Sequence, residues 1–272
     1  MSRMQTILEK AEREGTVMRV RSRPDPAGVV PAADMSVAAM PAAASGVGAG
    51  QAGVAAVVRT SPASRLNGAL VAAAASESAI AEQYRSLCAR IAHADQGAPT
   101  SVILVTSPGT GEGKSLTAAN LALTMAREYH RPTCIVDANL RSPKLRELFG
   151  LPDGPGLSDV LAGRAPLHEA LTMIETLGVT VLPAGPCPKH PAELLGTAMM
   201  RQTIDYLRLQ FDRIVIDTSA ALARADLGLL TPLVDRVVLV VRAGVTTKAS
   251  ITDVATTLDA TRLLGVVLNE AA

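Results

Sequence analysis

The 272 residues suffice for one α/β unit of ordinary size with extensions, and they are 48% apolar and 19% charged, with no Trp, three Tyr and two Phe. A core drawn from Ala, Val and Leu argues against aromatic cages and base-stacking platforms, and a formal net charge of +1 argues against nucleic acid as a partner. The three cysteines, Cys88, Cys134 and Cys187, lie far apart without a CxxC pair, which disfavours a disulfide framework or a zinc or iron–sulfur site and fits a reducing cytoplasm.

The chain opens with MSRMQTILEKAEREG, whose charges interrupt any apolar run of the kind a secretory signal needs. Met4, Ile7, Leu8 and Ala11 share one face at helical spacing, so residues 1–25 are expected to form a short amphipathic helical unit. Residues 26–58 carry a single charge, Asp34, in an Ala/Gly stretch broken by Pro31 and Pro41. That stretch is too weakly hydrophobic to span a membrane, and residues 26–64 are expected to act as a flexible linker. The folded unit is expected over residues 65–272.

Within that unit, short β-branched runs alternate with segments of helical length. The strands are SVILVT (101–106), TCIVDA (133–138), VTVLPA (179–184), RIVIDT (213–218), RVVLVVRA (236–243) and LGVVLN (264–269). Helical patterns occupy 114–129 and 192–209. This alternation predicts a doubly wound, mostly parallel α/β sheet, in which ligands bind at the carboxyl ends of the strands.

The first of these strands is followed by Ser107-Pro108-Gly109-Thr110-Gly111-Glu112-Gly113-Lys114-Ser115 and then by a helix. A glycine-rich turn at a helix N-terminus directs backbone N–H groups at phosphate oxygens. Gly111 and Gly113 permit close approach, Lys114 reaches the β- and γ-phosphates, and the Ser115 hydroxyl takes a Mg²⁺ position. The strict phosphate-loop pattern has Gly where Pro108 stands, so the loop deviates by one residue. Asp137 and Asp217 end the second and fourth strands, where Mg²⁺ commonly borrows one or two carboxylates. Asp137 is alternatively a base toward an attacking hydroxyl.

These residues resemble the bacterial tyrosine kinases of exopolysaccharide and capsule synthesis, a branch of the MinD/ParA-type P-loop ATPases. The resemblance rests on TSPGTGEGKS (106–115) as a deviant Walker A loop, IVDANLRSPKLRELFGL (135–151), GLSDVLAG (156–163), HPAELL (190–195), the Walker B strand FDRIVIDTS (211–219), DRVVLVVRAGVTT (235–247) and GVVLN (265–269), in that order. It implies ATP and Mg²⁺ as cofactors. Residues Gly109, Thr110, Gly111, Glu112, Gly113, Lys114, Ser115 and Leu116 would cradle the phosphates, Lys114, Asp137 and Asp217 would serve catalysis, Ser115, Asp137 and Asp217 the metal, and Asn269 would lie near the adenine. It also implies a cytoplasmic protein, peripheral at the inner membrane through a chain-length-determinant (polysaccharide co-polymerase) partner, and a homo-oligomer built through Glu82 and Arg85. The extra signature lysine of MinD/ParA partition ATPases is replaced by Gly109, which favours the kinase branch. A MinD/ParA-type switch ATPase and a nucleotide-binding pseudokinase scaffold are the alternatives.

The sequence departs from the family pattern at four places. Asn139 stands where a second acid is usual, Ser219 and Ala220 follow the Walker B Asp in place of proline, and Cys88 ends the oligomerisation motif. No tyrosine follows Tyr206, so weak or absent autophosphorylation on tyrosine is expected. Tyr84 and Tyr206 are expected to be partly buried in helices, Tyr129 to be exposed, and His93, His130, His168 and His190 to have no metal role.

Overall fold

The computed structural model describes residues 17–20, 59–60, 66–94, 102–223, 225–259 and 261–269. They contain nine strands, β1 (Val17–Val20), β2 (Arg59–Thr60), β3 (Val102–Thr106), β4 (Thr133–Asp137), β5 (Thr172–Ile174), β6 (Val179–Leu182), β7 (Arg213–Asp217), β8 (Arg236–Arg242) and β9 (Leu263–Asn269). The helices, in chain order, are α1 (Val71–Ala74), α2 (Ala79–Ala94), α3 (Lys114–Glu128), α4 (Leu145–Leu148), α5 (Leu157–Leu161), α6 (Leu167–Ala170), α7 (Pro191–Leu195), α8 (Ala198–Gln210), α9 (Asp226–Leu230) and α10 (Lys248–Thr257).

The strands form one sheet in the order β1-β9-β8-β3-β7-β4-β6-β5-β2. Every neighbouring pair is parallel except β5 and β6, which are antiparallel. β3 and β4, consecutive central strands, are separated in the sheet by β7, so the carboxyl ends of three strands meet at one crevice, the position at which such sheets bind ligands. β3 and β4 are buried along their whole length, as strands covered on both faces must be.

Two apolar layers enclose the sheet. One face packs Leu104, Val136, Ile214 and Leu239 against Leu157, Ile204, Leu207 and Val254 of the helices. The other packs Ile103, Val105, Ile135 and Val215 against α3, with Tyr84, Leu87 and Ile91 of α2 outside it. α3 is buried on nearly every side, and its Ala118, Ala119 and Ala122 let it lie close between the sheet and α2. Buried Asn120 on α3 ties in α1: Ala72 N–H donates to its Oδ1 (3.0 Å), and its Nδ2 donates to Ala69 O (3.2 Å).

The six strands expected from sequence are present, with boundaries shifted by a residue or two. Three elements differ. The single helix expected over 192–209 is two, because Thr197 starts α8 as an N-cap, its side chain accepting from Met200 N–H. β5 makes a short antiparallel hairpin with β6. Finally, Val17–Val20, within the expected helical unit 1–25, extends the sheet beside β9, and Arg59–Thr60, within the expected linker 26–64, pairs with β5. The sheet thus recruits residues from before position 65 at both edges. The helical face over 4–11 and the stretch 26–58 lie outside the described residues.

Candidate nucleotide site

The turn between β3 and α3 is held in shape by side chains on its inner side. Ser107 Oγ donates to Gly109 O (2.7 Å), and the Glu112 carboxylate accepts from Gly109 N–H (2.9 Å). The other Glu112 oxygen accepts from the Thr246 hydroxyl, and Thr246 in turn accepts from Arg242 N–H (2.8 Å) at the end of β8. Asn269, at the end of β9, donates from Nδ2 to Glu112 O (3.0 Å). The ends of β8 and β9 therefore brace the loop that follows β3.

Gly113 is required twice over. Its φ of +92° is left-handed, and a Cβ there would lie 2.0 Å from Asn269 Nδ2. The bracing leaves the first N–H groups of α3, which have no acceptor one turn back, facing the crevice at the positive end of a 15-residue helix.

The acids come from the neighbouring strands. Asp137 and Asp217 are directly opposite one another on parallel β4 and β7, both fully buried. Asp137 is already engaged: Oδ1 accepts from Asn139 N–H (3.2 Å), and Oδ2 accepts from Lys144 and Leu145 N–H (3.0 Å each). In Asp217, among the described residues, neither carboxylate oxygen has a hydrogen-bond partner. Burial, and then the charge of Asp137, push the Asp217 carboxyl well above the ordinary carboxylate range. The Ser115 hydroxyl, the Lys114 ammonium and the Thr218 N–H pull the other way without cancelling this. Burial raises Asp137 too, against its three backbone donors and Lys114.

A buried carboxylate with no donor at hydrogen-bond distance is costly unless a cation comes to it. Among the described residues no cluster of three His, Cys, Asp or Glu side chains could hold a metal by itself. The donor set of Ser115 and Asp217 instead suits Mg²⁺, which keeps waters and shares its coordination with phosphate oxygens.

The crevice is a cleft of about 480 Å³ lined by Thr110, Gly111, Gly113, Lys114, Ser115 and Leu116, by Asn139, Arg141, Ser142 and Lys144 across from them, and by Ser219 and Ala220. Lys114 and Ser115 line this cleft, and both act on the Asp217 carboxyl buried behind it. Gly109 and Glu112 shape the loop from within, and Asn269 lies under it rather than in the cleft lining. Asn139, in place of an acid, donates from Nδ2 to Ser142 O (2.8 Å) and so fixes the turn after β4. Asp226 lies outside every motif and was missed in the sequence, while Thr246, Ser142 and Lys144 lie within the motif stretches 235–247 and 135–151 without having been singled out. Asp226 accepts a 2.7 Å hydrogen bond from Ser219 Oγ, and its other oxygen has no partner among the described residues.

Outside the cleft, Glu82 and Arg85 pair with each other on α2 (2.7 Å), and Arg85 also donates to Ser76 O (2.8 Å). Cys88 lies on the buried side of α2, four residues from Tyr84, and not on the exposed face of Glu82 and Arg85. Tyr84 is fully buried, more than the sequence suggested, and burial pushes its phenol up to about 12 despite Thr117 and Asn120. Tyr129 and Tyr206 are exposed.

No protein-family model matches the chain. It is 32% identical over 214 residues to tyrosine-protein kinase YwqD of Bacillus subtilis, covering 78% of this chain and 90% of that one. It is 31% identical over 220 residues to the succinoglycan biosynthesis transport protein ExoP of Rhizobium meliloti, covering 79% of this chain but only 28% of ExoP. Among solved structures, the chimerical protein CapA2B2 matches with a TM-score of 0.71 at 29% identity, over 79% of this chain and 95% of that one. The septum site-determining protein MinD of Pyrococcus horikoshii, complexed with Mg-ADP, matches with a TM-score of 0.51 at 27% identity, over 62% of this chain and 70% of that one.

Proposed function

The chain belongs to the bacterial tyrosine-protein kinases, and from that premise we propose that it binds MgATP in the cleft below β3, β7 and β4 and transfers or hydrolyses the γ-phosphoryl group in the service of exopolysaccharide synthesis or export. The observation that carries this reading is the Asp217 carboxylate, buried beside Lys114 and Ser115 with no hydrogen-bond partner among the described residues. Such a group fits a cleft completed by a cation and its phosphate ligands.

In this reading the N–H groups at the start of α3 bind the phosphate oxygens, and Lys114 neutralises charge that develops on the transferred group. Ser115 and Asp217 would hold Mg²⁺, with Asp137 in reserve behind them. The ion, when bound, supplies charge neutralisation at the β- and γ-phosphate oxygens. Asp137 orders the wall of the cleft by receiving the N–H groups of Asn139, Lys144 and Leu145. Asn139 cannot take a proton, which leaves Asp137 as the one acid of that turn for a hydroxyl acceptor.

No helix of the described residues is long and apolar enough to cross a membrane. We place the chain in the cytoplasm, at the inner membrane through a chain-length-determinant partner, with Glu82 and Arg85 in any contact between copies. Calorimetric titration with ATP in Mg²⁺ and in EDTA tests the core of this reading. Saturable binding that weakens at least tenfold in EDTA is expected, and no binding in either condition would contradict it.

A further inference from the structure

The strand end that carries Asp217 also carries a hydroxyl paired with a second buried acid. We propose that Ser219 is a phosphoryl acceptor within this chain and that Asp226 is its general base. The proposal rests on the nucleotide reading above and goes beyond it, because the acceptor it names is neither a tyrosine nor part of a tail.

Ser219 Oγ donates to Asp226 Oδ2 at 2.7 Å, Asp226 is buried, and Asp226 Oδ1 has no partner among the described residues. A nucleophile within hydrogen-bond reach of a carboxylate that has spare accepting capacity is the arrangement that activates a hydroxyl. Ser219 lines the same cleft as Lys114 and Ser115. It is also held in place: residues 218–222 run beside the phosphate loop, with Thr218 N–H donating to Val105 O (3.3 Å), Ala221 N–H to Ser107 O (2.8 Å) and Leu222 N–H to Pro108 O (3.3 Å). The Thr106 hydroxyl donates to Ser219 O (3.2 Å), fixing the residue from the opposite side. A hydroxyl fixed at the wall of a phosphate cleft acts at high effective molarity without help from another chain.

In the step itself, Ser219 Oγ forms a bond to the γ-phosphorus of ATP as the bond from that phosphorus to the bridging β–γ oxygen breaks. The hydroxyl proton passes to Asp226 Oδ2, ADP leaves, and phosphoserine remains at 219. The new dianion then lies two residues from Asp217, whose buried carboxylate sits opposite that of Asp137, so it opposes reloading. Modification stops at about one phosphate per chain.

The test incubates the full chain with MgATP, follows intact mass, maps the site by peptide fragmentation, and records the MgATP-induced thermal shift in parallel. Expected are one phosphate on Ser219 with a rate independent of protein concentration, none in Ser219→Ala, phosphothreonine in Ser219→Thr, and about a hundredfold slower modification in Asp226→Asn. A wild-type chain that is stabilised by MgATP yet gains no phosphate, or gains it at another residue, overturns the proposal alone. A chain neither stabilised nor modified overturns the nucleotide reading and this proposal with it. A cooperatively folded Asp226→Asn that reacts at the wild-type rate removes Asp226 as the base. Mapping on the wild-type chain decides the acceptor without any variant.

Discussion

Replacing Asp217 by Asn should stabilise the nucleotide-free protein while removing its response to Mg²⁺. The carboxylate is fully buried, has no hydrogen-bond partner among the described residues and faces Asp137 across the strand pair, so its ionised form is held at a cost of about 1–3 kcal/mol. Each unit by which the folded state raises its pKa withdraws about 1.4 kcal/mol from the folded state once the group is ionised. Because the folded carboxyl is raised above its ordinary value, the folded state holds more protons than the unfolded chain between the two values. Stability of the nucleotide-free protein therefore falls as pH rises through that window, opposite to the behaviour of a salt-bridged carboxylate. Asp217→Asn should leave stability unchanged near pH 4 and raise it by about 1–3 kcal/mol at pH 8, which for a unit of this size is about 2–12 °C in Tm. Thermal melts in EDTA at both pH values, repeated with MgATP at pH 8, give all the comparisons. The reasoning is refuted if the variant melts below wild type at pH 8 in EDTA, or if MgATP stabilises it as much as wild type.

Three further outcomes follow from the same geometry. Gly113→Ala should cost about 2–5 kcal/mol from its left-handed φ and the collision with Asn269, and adding Asn269→Ala should recover the collision part alone, visible as non-additivity in chemical denaturation. Asp235→Ala should cost about 1–3 kcal/mol in the same assay without weakening ATP binding, since Asp235 holds Arg208 by two bonds (2.8 and 2.9 Å) and receives Val102 N–H (2.8 Å) at the start of β3, far from the cleft. Phosphotyrosine mapping after incubation with MgATP should find essentially none on this chain. Tyr84 is buried, and Tyr129 sits at the far end of α3, roughly 22 Å from Lys114 at 1.5 Å per residue. Tyr206, exposed on α8, lies outside the cleft lining, and stoichiometric phosphotyrosine at any of the three would contradict that expectation.

What the sequence made legible is what local pattern encodes. The β-branched runs predicted the central strands, and the Gly-rich turn before Lys114, with Asp137 and Asp217 at strand tips, pointed to the crevice at the carboxyl ends of those strands. The rest depends on contacts between distant residues. Glu112 reads as one more loop residue until Thr246 is found against it, 134 positions away. Asp226 lies in a stretch with no motif and gains meaning only because the turn after β7 brings it to Ser219. β1 and β2 are four and two residues long, so their pairing is decided by the sheet edges that accept them and not by their own periodicity. Cys88, at the end of the expected oligomerisation motif, faces the core, which its i, i+4 spacing from Tyr84 reveals only once Tyr84 is known to be buried.

The central claim, that the loop before α3 and the acid at the end of β7 form one MgATP site, is tested most directly by equilibrium dialysis of labelled ATP in Mg²⁺ against wild type and Lys114→Ala. The account predicts saturation at about one ATP per wild-type chain and a loss of affinity of at least a hundredfold in a Lys114→Ala variant that still unfolds cooperatively, equivalent to about 2.7 kcal/mol or more. Equal binding by the two proteins, or none by wild type, would contradict it.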